Sequence, residues 1–256
     1  MAADINAASP TSPGSRVALV TGGAVRVGAA IVRRLVAAGH DVAVHHMTSG
    51  EQARLLCAEL ERSGVRARPF EADLSDPSQV DAMVSGIEET FGRLDHLVAS
   101  ASIFEKVAFR DLTREQWRRM QEVNCEAQAF LVQRCLPLLD RSDDASVVLM
   151  VDIGGRIPWK GFLHYNVSKA GVDMLVRGLA LELAPSIRVN GIAPGAVLYP
   201  DWYPEKKRQA HTARIPLERA GTAEDVAETV HFLLAGPDFI TGHIVNVDGG
   251  RSVGSA

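Results

Sequence analysis

The chain has few cysteines and no long apolar run. Its three cysteines, Cys57, Cys125 and Cys135, are odd in number and lack the spacing of metal ligands. We therefore expect reduced thiols in a cytoplasmic protein, with neither a disulfide framework nor a metal site. No apolar run reaches the length of a membrane-spanning helix, so no membrane partner is predicted.

The sequence also lacks an excess of positive charge. Its formal net charge is −4 and its isoelectric point is near 6.1. This balance argues against a nucleic-acid partner, because such proteins usually carry a basic face. With 256 residues, 46% of them hydrophobic and 23% charged, the chain has the size and composition of one globular α/β domain.

The first fifteen residues are small and polar, and they include Pro10 and Pro13. They lack the cationic start and the apolar run of a signal peptide. We predict a disordered tail over residues 1–15 and a folded domain over residues 16–256.

Apolar strand-like segments alternate with helix-like segments along the rest of the chain. The continuous apolar run "RVALVTG" is typical of a strand buried in a parallel sheet. Strands are predicted at 16–22, 41–47, 66–74, 96–102, 146–152, 187–195 and 243–250, and helices at 28–40, 51–63, 77–91, 113–139, 163–183 and 222–235. This order predicts a single, doubly wound Rossmann-type α/β domain with a seven-stranded parallel sheet. Ligands bind such sheets outside the carboxyl ends of the strands.

One long interruption breaks the alternation at 196–221. Its prolines, aromatic residues and charges are not typical of a core segment. We predict a mobile flap over the binding site.

The first predicted strand runs into the glycine-rich stretch "TGGAVRVG". Gly22 follows the strand and Gly28 opens the first helix, whose free N–H groups suit a pyrophosphate. Arg26 and Val27 lie within this loop, and Arg26 stands where a third small residue is usual. A plain strand-to-helix turn is the alternative interpretation at this point.

The end of the second strand bears on the choice of cofactor. NAD enzymes commonly place a carboxylate there for the ribose hydroxyls, but this segment has no acid before Glu51. It offers four side chains that could donate hydrogen bonds to a 2′-phosphate: His45, His46, Thr48 and Ser49. NADPH is therefore favoured, unless the two histidines simply end an exposed strand. Asp73 and Leu74 end the third strand, where an adenine could be met.

The sequence "YNVSK" opens a helix after the fifth strand. Its Tyr165 and Lys169 are spaced to share one helical face. An ammonium near a phenol favours the phenolate, so we expect Lys169 to lower the pKa of Tyr165 and prepare it for proton transfer.

Together these features resemble the short-chain dehydrogenase/reductase family over residues 16–250. Further matches are "VNCEAQAF", "RVNGIAPG" and "ITGHIVNVDGG". The resemblance implies that Tyr165 is the proton donor and that Lys169 holds the nicotinamide ribose. It further implies that Asn124 holds a water in the proton relay, and that Pro194 and Gly195 begin the segment that binds the carboxamide. A homotetramer is usual in the family.

The chain departs from the family pattern most clearly at Asp152. The family has its catalytic serine there, thirteen residues before the tyrosine. A carboxylate would repel the negative oxygen that develops during carbonyl reduction. Reduction of a C=N bond instead needs a proton at nitrogen, which Asp152 paired with Tyr165 could hold or relay. An inactive protein that has lost its serine is the alternative.

These departures resemble the pteridine reductase branch of the family. They are Arg26 in the loop, "ASASIF" after the fourth strand, and Asp152. The resemblance implies NADPH-dependent reduction of pterins or dihydropterins, and of folates. It places Ala101 at the cofactor, Arg26 and Ser102 at cofactor and pterin, and Phe104 against the pterin ring. The alternatives are a reductase of another carbonyl or cyclic imine, and a non-catalytic NADP(H)-binding regulator.

Overall fold

Seven parallel strands form one sheet in the order β3-β2-β1-β4-β5-β6-β7. The structure, a computed structural model, describes residues 15–199 and 203–254. The strands are β1 (Val17–Val20), β2 (Asp41–His46), β3 (Ala67–Glu71), β4 (His96–Ala99), β5 (Ala145–Met150), β6 (Ile187–Pro194) and β7 (Ile244–Val247). The prediction of a doubly wound Rossmann-type domain with seven parallel strands is confirmed.

Eight α-helices connect the strands within the described residues. They are α1 (Arg26–Ala37), α2 (Gly50–Leu60), α3 (Pro77–Phe91), α4 (Arg114–Gln121), α5 (Ala127–Leu139), α6 (Leu163–Leu183), α7 (Glu205–Thr212) and α8 (Ala223–Ala235). None of the helices in that part of the chain is long and apolar enough to cross a bilayer.

Burial of both sheet faces explains the continuous apolar strands. Every residue of β1, β2, β4 and β5 is buried. One core lies between the sheet and α3, α5 and α6, and a second lies between the sheet and α1, α2 and α8. With both faces covered, only the strand ends remain for binding, as the order of elements predicts.

The predicted helix at 113–139 is wrong as a single regular helix. A five-residue π-helical segment, Glu122–Glu126, separates α4 from α5. The side chain of Asn124, in this segment, accepts a hydrogen bond from the N–H of Ile103 at 2.8 Å and donates one to the carbonyl oxygen of Ile103 at 2.9 Å. The break therefore lies where the helix contacts the loop after β4, and π-turns are common at functional sites.

Two predictions concern segments that are only partly described. The predicted tail lies outside the described residues except for Ser15, whose hydroxyl donates to the carbonyl oxygen of Gly39 at 3.1 Å. The predicted flap at 196–221 contains α7, which the sequence analysis did not predict, and residues 200–202 lie outside the described part.

Candidate active site

A cleft of about 420 Å³ opens at the carboxyl ends of the central strands. It gathers side chains and backbone from β1, β2, β4, β5 and β6 and from the start of α6. Fourteen of the predicted site residues line it: Gly22, Arg26, Val27, Gly28, His45, His46, Thr48, Ser49, Ala101, Ser102, Asp152, Tyr165, Lys169 and Pro194. The structure therefore brings together residues that lie as far apart in sequence as 22 and 194.

Other predicted residues lie behind or beside the walls of this cleft. The carboxylate of Asp73 accepts hydrogen bonds from the N–H and the hydroxyl of Ser75 at 2.9 and 2.7 Å, and Leu74 packs against the core. The N–H of Gly195 donates to the carbonyl oxygen of Val247 at 3.0 Å, which joins that segment to β7. Asn124 and Phe104 belong to the layer around the cleft.

The glycine-rich turn between β1 and α1 is closely packed. A Cβ on Gly28 would overlap the carbonyl oxygen of Gly22, so only glycine fits at that position. The hydroxyl of Thr21 accepts hydrogen bonds from the N–H groups of Ser100 and Ala101 at 2.9 and 3.0 Å. The turn is thus tied to the loop after β4, and its backbone can approach a ligand at the N-terminus of α1.

Arg26 has an unusual backbone conformation in this turn. Its φ of 54° lies in the left-handed region, which favours glycine. Its guanidinium donates to the carbonyl oxygen of Leu198 at 3.2 Å. Arg26 therefore connects the glycine-rich turn to the first residues of the flap.

His45 does not have the role that the sequence suggested. It is buried, its Nδ1 accepts a hydrogen bond from the N–H of Gly22 at 3.1 Å, and its Nε2–H donates to the carbonyl oxygen of Ala72 at 3.0 Å. Burial also lowers the pKa of His45 to about 4, so the ring is neutral at pH 7. Because both ring nitrogens already have partners, His45 supports the glycine-rich turn and is not free to donate to a phosphate. The next residue, His46, differs from His45 in its hydrogen bonding.

His46, Thr48 and Ser49 surround the start of α2 at one end of the cleft. His46 is buried, and its Nδ1 has no hydrogen-bond partner among the described residues. Ser49 precedes the helix, yet its side chain caps none of the helix N–H groups. Free N–H groups at a helix start together with an unpartnered imidazole nitrogen form a site suited to an anion.

Asp152 and Tyr165 meet inside the cleft. The Tyr165 hydroxyl donates to Asp152 Oδ2 at 2.8 Å, and the N–H of Gly154 donates to Oδ1 at 2.6 Å. Burial raises the pKa of the Asp152 carboxyl above its usual range, although the Gly154 N–H and nearby Lys169 act in the opposite direction. The carboxyl can therefore hold a proton at a higher pH than an exposed aspartate can.

The expected effect of Lys169 on Tyr165 is not what the structure shows. The Lys169 ammonium donates to the carbonyl oxygen of Met150 at 2.8 Å and lies 5.9 Å from the centre of the Tyr165 ring. Burial and the carboxylate of Asp152 raise the pKa of Tyr165 well above 10, and burial lowers the pKa of Lys169 to about 8. The prediction of a lowered tyrosine pKa was wrong because the phenol donates to a buried carboxylate.

An aromatic group flanks the Asp152–Tyr165 pair. The Phe104 ring is 44% exposed, stacks on Phe162 with centroids 4.6 Å apart, and meets Tyr165 edge-on at 4.8 Å. The Trp159 ring stacks on the Tyr165 ring, and their centroids are 6.3 Å apart. Phe104 was predicted from the sequence, but Trp159 and Phe162 were not, although Phe162 comes three residues before Tyr165, where the chain enters the same helix.

Asn124 lies beside the cleft, and its side chain already has hydrogen-bond partners. The Asn124 side-chain amide is bonded to the backbone of Ile103, and the backbone carbonyl oxygen of Asn124 accepts from the Gln128 side chain at 2.9 Å. Asn124 thus fixes the loop that carries Phe104. Among the described residues, no group of three or more histidine, cysteine, aspartate or glutamate side chains is arranged to hold a metal ion.

Comparison with known proteins gives matches over almost the whole chain. The family model described as Enoyl-(Acyl carrier protein) reductase matches residues 23–252. The 3-oxoacyl-(acyl-carrier-protein) reductase FabG of Staphylococcus aureus is 30% identical over 240 residues, which cover 92% of this chain and 98% of that protein. The 3beta-hydroxysteroid dehydrogenase 1 of Eggerthella lenta is 34% identical over 245 residues, with 93% and 94% covered.

A solved structure gives the same result in three dimensions. The crystal structure of a blue fluorescent protein from a metagenomic library, in complex with NADPH, has a TM-score of 0.86 and 32% identity, over 92% of this chain and 97% of that one. Its cofactor is a dinucleotide of the kind that the cleft predicts. By fold, by sequence and by the extent of these matches, the chain belongs to the short-chain dehydrogenase/reductase family of NAD(P)-dependent oxidoreductases.

Proposed function

We propose that this oxidoreductase uses NADPH to reduce a ring C=N bond of pterins, of the dihydropterin or biopterin type, and of dihydrofolate or folate. The observation that carries the proposal is the hydrogen bond between the Tyr165 hydroxyl and the buried Asp152 carboxylate. The named relatives have 3-oxoacyl and hydroxysteroid substrates in their names. The pterin substrate is therefore inferred from the site and not from those names.

The residues of the cleft fit a dinucleotide with a 2′-phosphate. Gly22, Gly28 and the start of α1 would hold the pyrophosphate, and Lys169 would hold the nicotinamide ribose, with Pro194 beside the nicotinamide. When bound, NADPH supplies a hydride to the substrate carbon. The unpartnered Nδ1 of His46 and the N-terminus of α2 favour a 2′-phosphate.

The charges that line the cleft also favour NADPH over NADH. Asp152 is the one carboxylate among the lining residues of the described chain, and it lies with Tyr165 and not with His46. Among the described residues, no acid lines the cleft at the end of β2, and Glu51, in the first turn of α2, is paired with Arg54. Thr48 and Ser49 can donate hydrogen bonds there, as the sequence predicts.

Asp152 and Tyr165 together can deliver the proton that reduction of a C=N bond needs. Tyr165 stays a phenol at neutral pH because its pKa is raised, so its hydroxyl remains a proton donor. Burial raises the pKa of the Asp152 carboxyl, which favours its protonated form more than in an exposed aspartate, and that form can restore the proton that the phenol gives up. When it is ionised, the same group would place negative charge beside the oxygen on which negative charge develops during carbonyl reduction.

The aromatic wall supports a planar substrate. The exposed Phe104 ring meets the Tyr165 ring edge-on, and the Phe162 ring stacks on Phe104. A flat heterocycle can stack on such a ring with centroids about 4.5–7 Å apart. Ser102, in the cleft wall, and Arg26, which reaches the flap, would contact polar edges of the heterocycle.

Assembly and location belong to the same proposal. Apolar side chains are exposed on α5 and α6, among them Phe130, Val167 and Met174. Exposed apolar faces on neighbouring helices are typical of subunit contacts, which supports a homo-oligomer, and the homotetramer is the form that the family resemblance implies. The three cysteines are free thiols, which supports the reducing environment of the cytoplasm.

A reductase of another carbonyl or of a cyclic imine is the second candidate, favoured by the names of the relatives. A non-catalytic NADP(H)-binding regulator is less well supported, because a regulator has no use for both Tyr165 and Lys169 in the cleft. The same assay separates all three functions.

The test is NADPH oxidation with a panel of dihydropterins, pterin, dihydrofolate, simple ketones and cyclic imines. We expect turnover of the pterins and little or none of the ketones. Asp152→Ala should abolish pterin turnover and leave the Kd for NADPH within about twofold, because the cofactor's contacts lie elsewhere in the cleft. Turnover of ketones alone would replace the proposal with the second candidate, and NADPH binding without any turnover would replace it with the regulator.

A further inference from the structure

The Asp152 carboxyl is carried by a turn and not by a regular strand or long helix. β5 ends at Met150, and Ile153–Gly155 form one short 3-10 turn. Asp152 Oδ1 accepts from the N–H of Gly154 within this turn, while Oδ2 accepts from the Tyr165 hydroxyl on α6. The meeting of carboxyl and phenol therefore depends on whatever fixes the turn to α6.

Asn166 makes that connection. It is 6% exposed, and its Nδ2 donates to the carbonyl oxygen of Gly154 at 2.7 Å. Its Oδ1 accepts from the N–H of Trp159 at 3.0 Å. One side-chain amide thus bonds both ends of the segment 154–159, and it follows Tyr165 directly on the helix.

The Asn166 side-chain amide acts as a clamp between Gly154 and Trp159, and close packing at Gly154 restricts its movement. A Cβ on Gly154 would lie 2.8 Å from Asn166 Nδ2, 3.0 Å from Asp152 Oδ1 and 3.1 Å from the Trp159 ring. The clamp amide, the carboxyl and the indole therefore converge on one glycine. A shift of any of these groups displaces the others, because a closely packed interior has no empty space to accommodate the shift.

We propose that Asn166 is a positioning residue that sets the Asp152 carboxyl against the Tyr165 hydroxyl. Its amide fixes the Gly154 end of the turn for the carboxyl and the Trp159 end for the indole that stacks on Tyr165. The inference rests on the proposed function only in giving the Asp152–Tyr165 pair the task of proton delivery. It does not depend on which substrate receives the proton.

The decisive variant is Asn166→Asp. A carboxylate at this position can still accept from the Trp159 N–H but has no proton to donate to the Gly154 carbonyl oxygen. Once protonated, the acid can remake both hydrogen bonds, and burial beside a carbonyl oxygen favours the protonated form. The ratio of variant kcat to wild-type kcat should therefore rise as the pH falls.

The expected size follows from the sensitivity of catalysis to small displacements. At pH 8 we expect kcat of N166D to be lower by about 10- to 100-fold, with KM and the Kd for NADPH within about threefold. Between pH 8 and pH 5.5 the kcat ratio should recover by about fivefold or more. Asn166→Ala, which can remake neither bond, should show the loss without the recovery.

Asn190→Asp is the matched control. Asn190 is also buried, and it has the same bonding pattern: Nδ2 donates to the carbonyl oxygen of Ile240 at 2.8 Å, and Oδ1 accepts from the N–H of His243 at 3.1 Å. It ties β6 to the segment before β7, away from the Asp152 turn. N190D should lower thermal stability as N166D does, but its kcat ratio should not change with pH.

A second readout needs no substrate. Amide hydrogen exchange of a peptide that covers residues 153–162 should speed up in N166D at pH 8 and slow again near pH 5.5 after correction for the intrinsic rate. The kinetic series uses any panel substrate that the wild type reduces, so failure of the pterin proposal leaves this test intact. A kcat ratio that does not vary with pH, the same variation in N190D, or unchanged exchange at 153–162 would overturn the positioning role.

Discussion

At the scale of single residues, proton delivery depends on the environment of Asp152 and Tyr165. Their types and spacing could be predicted from the sequence, and so could the presence of Lys169 beside them. The direction of the tyrosine pKa could not, because it depends on how deeply the phenol is buried and on which side of it the carboxylate lies. The hydrogen bonds of His45 could not be predicted either, because its partners Gly22 and Ala72 come from other segments of the chain.

The first residue-scale prediction concerns the pH dependence of kcat. The pKa of the Asp152 carboxyl is raised, and the protonated acid is the form that resupplies the proton. We expect kcat for dihydropterin to fall as pH rises through that pKa, by about tenfold per pH unit beyond it. Asp152→Asn can neither titrate nor resupply the proton, so its residual kcat should be low at every pH between 5 and 9 and should lack this descending limb.

The outcome that would contradict this assignment is an unchanged limb in D152N. Such a limb would belong to another group, and Lys169, whose pKa is about 8, would be the next to examine. The NADPH Kd measured at the same pH values serves as the control for loss of binding.

At the scale of elements, local signals predicted the helices that they control. The helix at 77–91 has its predicted bounds because Asp76 caps it, Pro77 fits its first turn and Gly92 adopts the left-handed conformation after it. The π-helical break near Asn124 was not predictable, since it accompanies contact with Ile103, in a loop 21 residues earlier in the chain. The bounds of α7 within the flap show no comparable sequence signal.

The element-scale prediction is a pair of glycine substitutions. Gly28→Ala should weaken NADPH binding by about 100-fold or more, because its Cβ would overlap the Gly22 carbonyl oxygen and displace the phosphate turn. Gly178→Ala, on α6 with open space around the new Cβ, should bind NADPH normally and gain about 0.5–1 kcal/mol of stability.

Fluorescence titration with NADPH and thermal unfolding measure the two effects. Equal NADPH affinity in G28A and wild type would show that the turn does not hold the cofactor. Unfolding of G28A at the assay temperature is distinguished by its circular dichroism spectrum.

At the scale of the whole molecule, the order of elements was enough to predict the sheet. The predicted strands all form, and each is shorter than predicted, because most of the residues at the predicted carboxyl ends are polar residues or glycines that lie beyond the strand. The sequence did not predict a pair of buried histidines at the amino ends of β2 and β4, the end of the sheet opposite the cleft. His40 Nε2 and His96 Nδ1 are 3.0 Å apart, and both rings are buried.

The whole-molecule prediction is acid destabilisation through this pair. Burial lowers the pKa of His40, and burial lowers the pKa of His96 to about 3, well below the value near 6.5 in the unfolded chain. The folded state therefore binds fewer protons than the unfolded state between these values. The contribution of these histidines to the free energy of unfolding should be fully present above pH 6.5 and should be lost as the pH drops toward 3.

The measurement is the free energy of unfolding against pH at a fixed protein concentration. His96→Gln should reduce the slope between pH 6 and 4 by about 1.4 kcal/mol per pH unit, the contribution of one proton. The exposed His243→Gln is the control and should retain the wild-type slope. An H96Q slope equal to that of the wild type would assign the acid sensitivity to other groups.

The central claim is that a carboxyl at position 152, held on the Tyr165 hydroxyl, makes this reductase act on C=N bonds and not on carbonyls. The most direct measurement is the ratio of kcat/KM for a dihydropterin to kcat/KM for a simple ketone, in the wild type and in Asp152→Ser. We expect the ratio to strongly favour the dihydropterin in the wild type and to fall by about 100-fold or more in D152S, which restores a neutral donor for a developing oxyanion. A ratio that is the same in both proteins, or that favours the ketone in the wild type, would contradict the account.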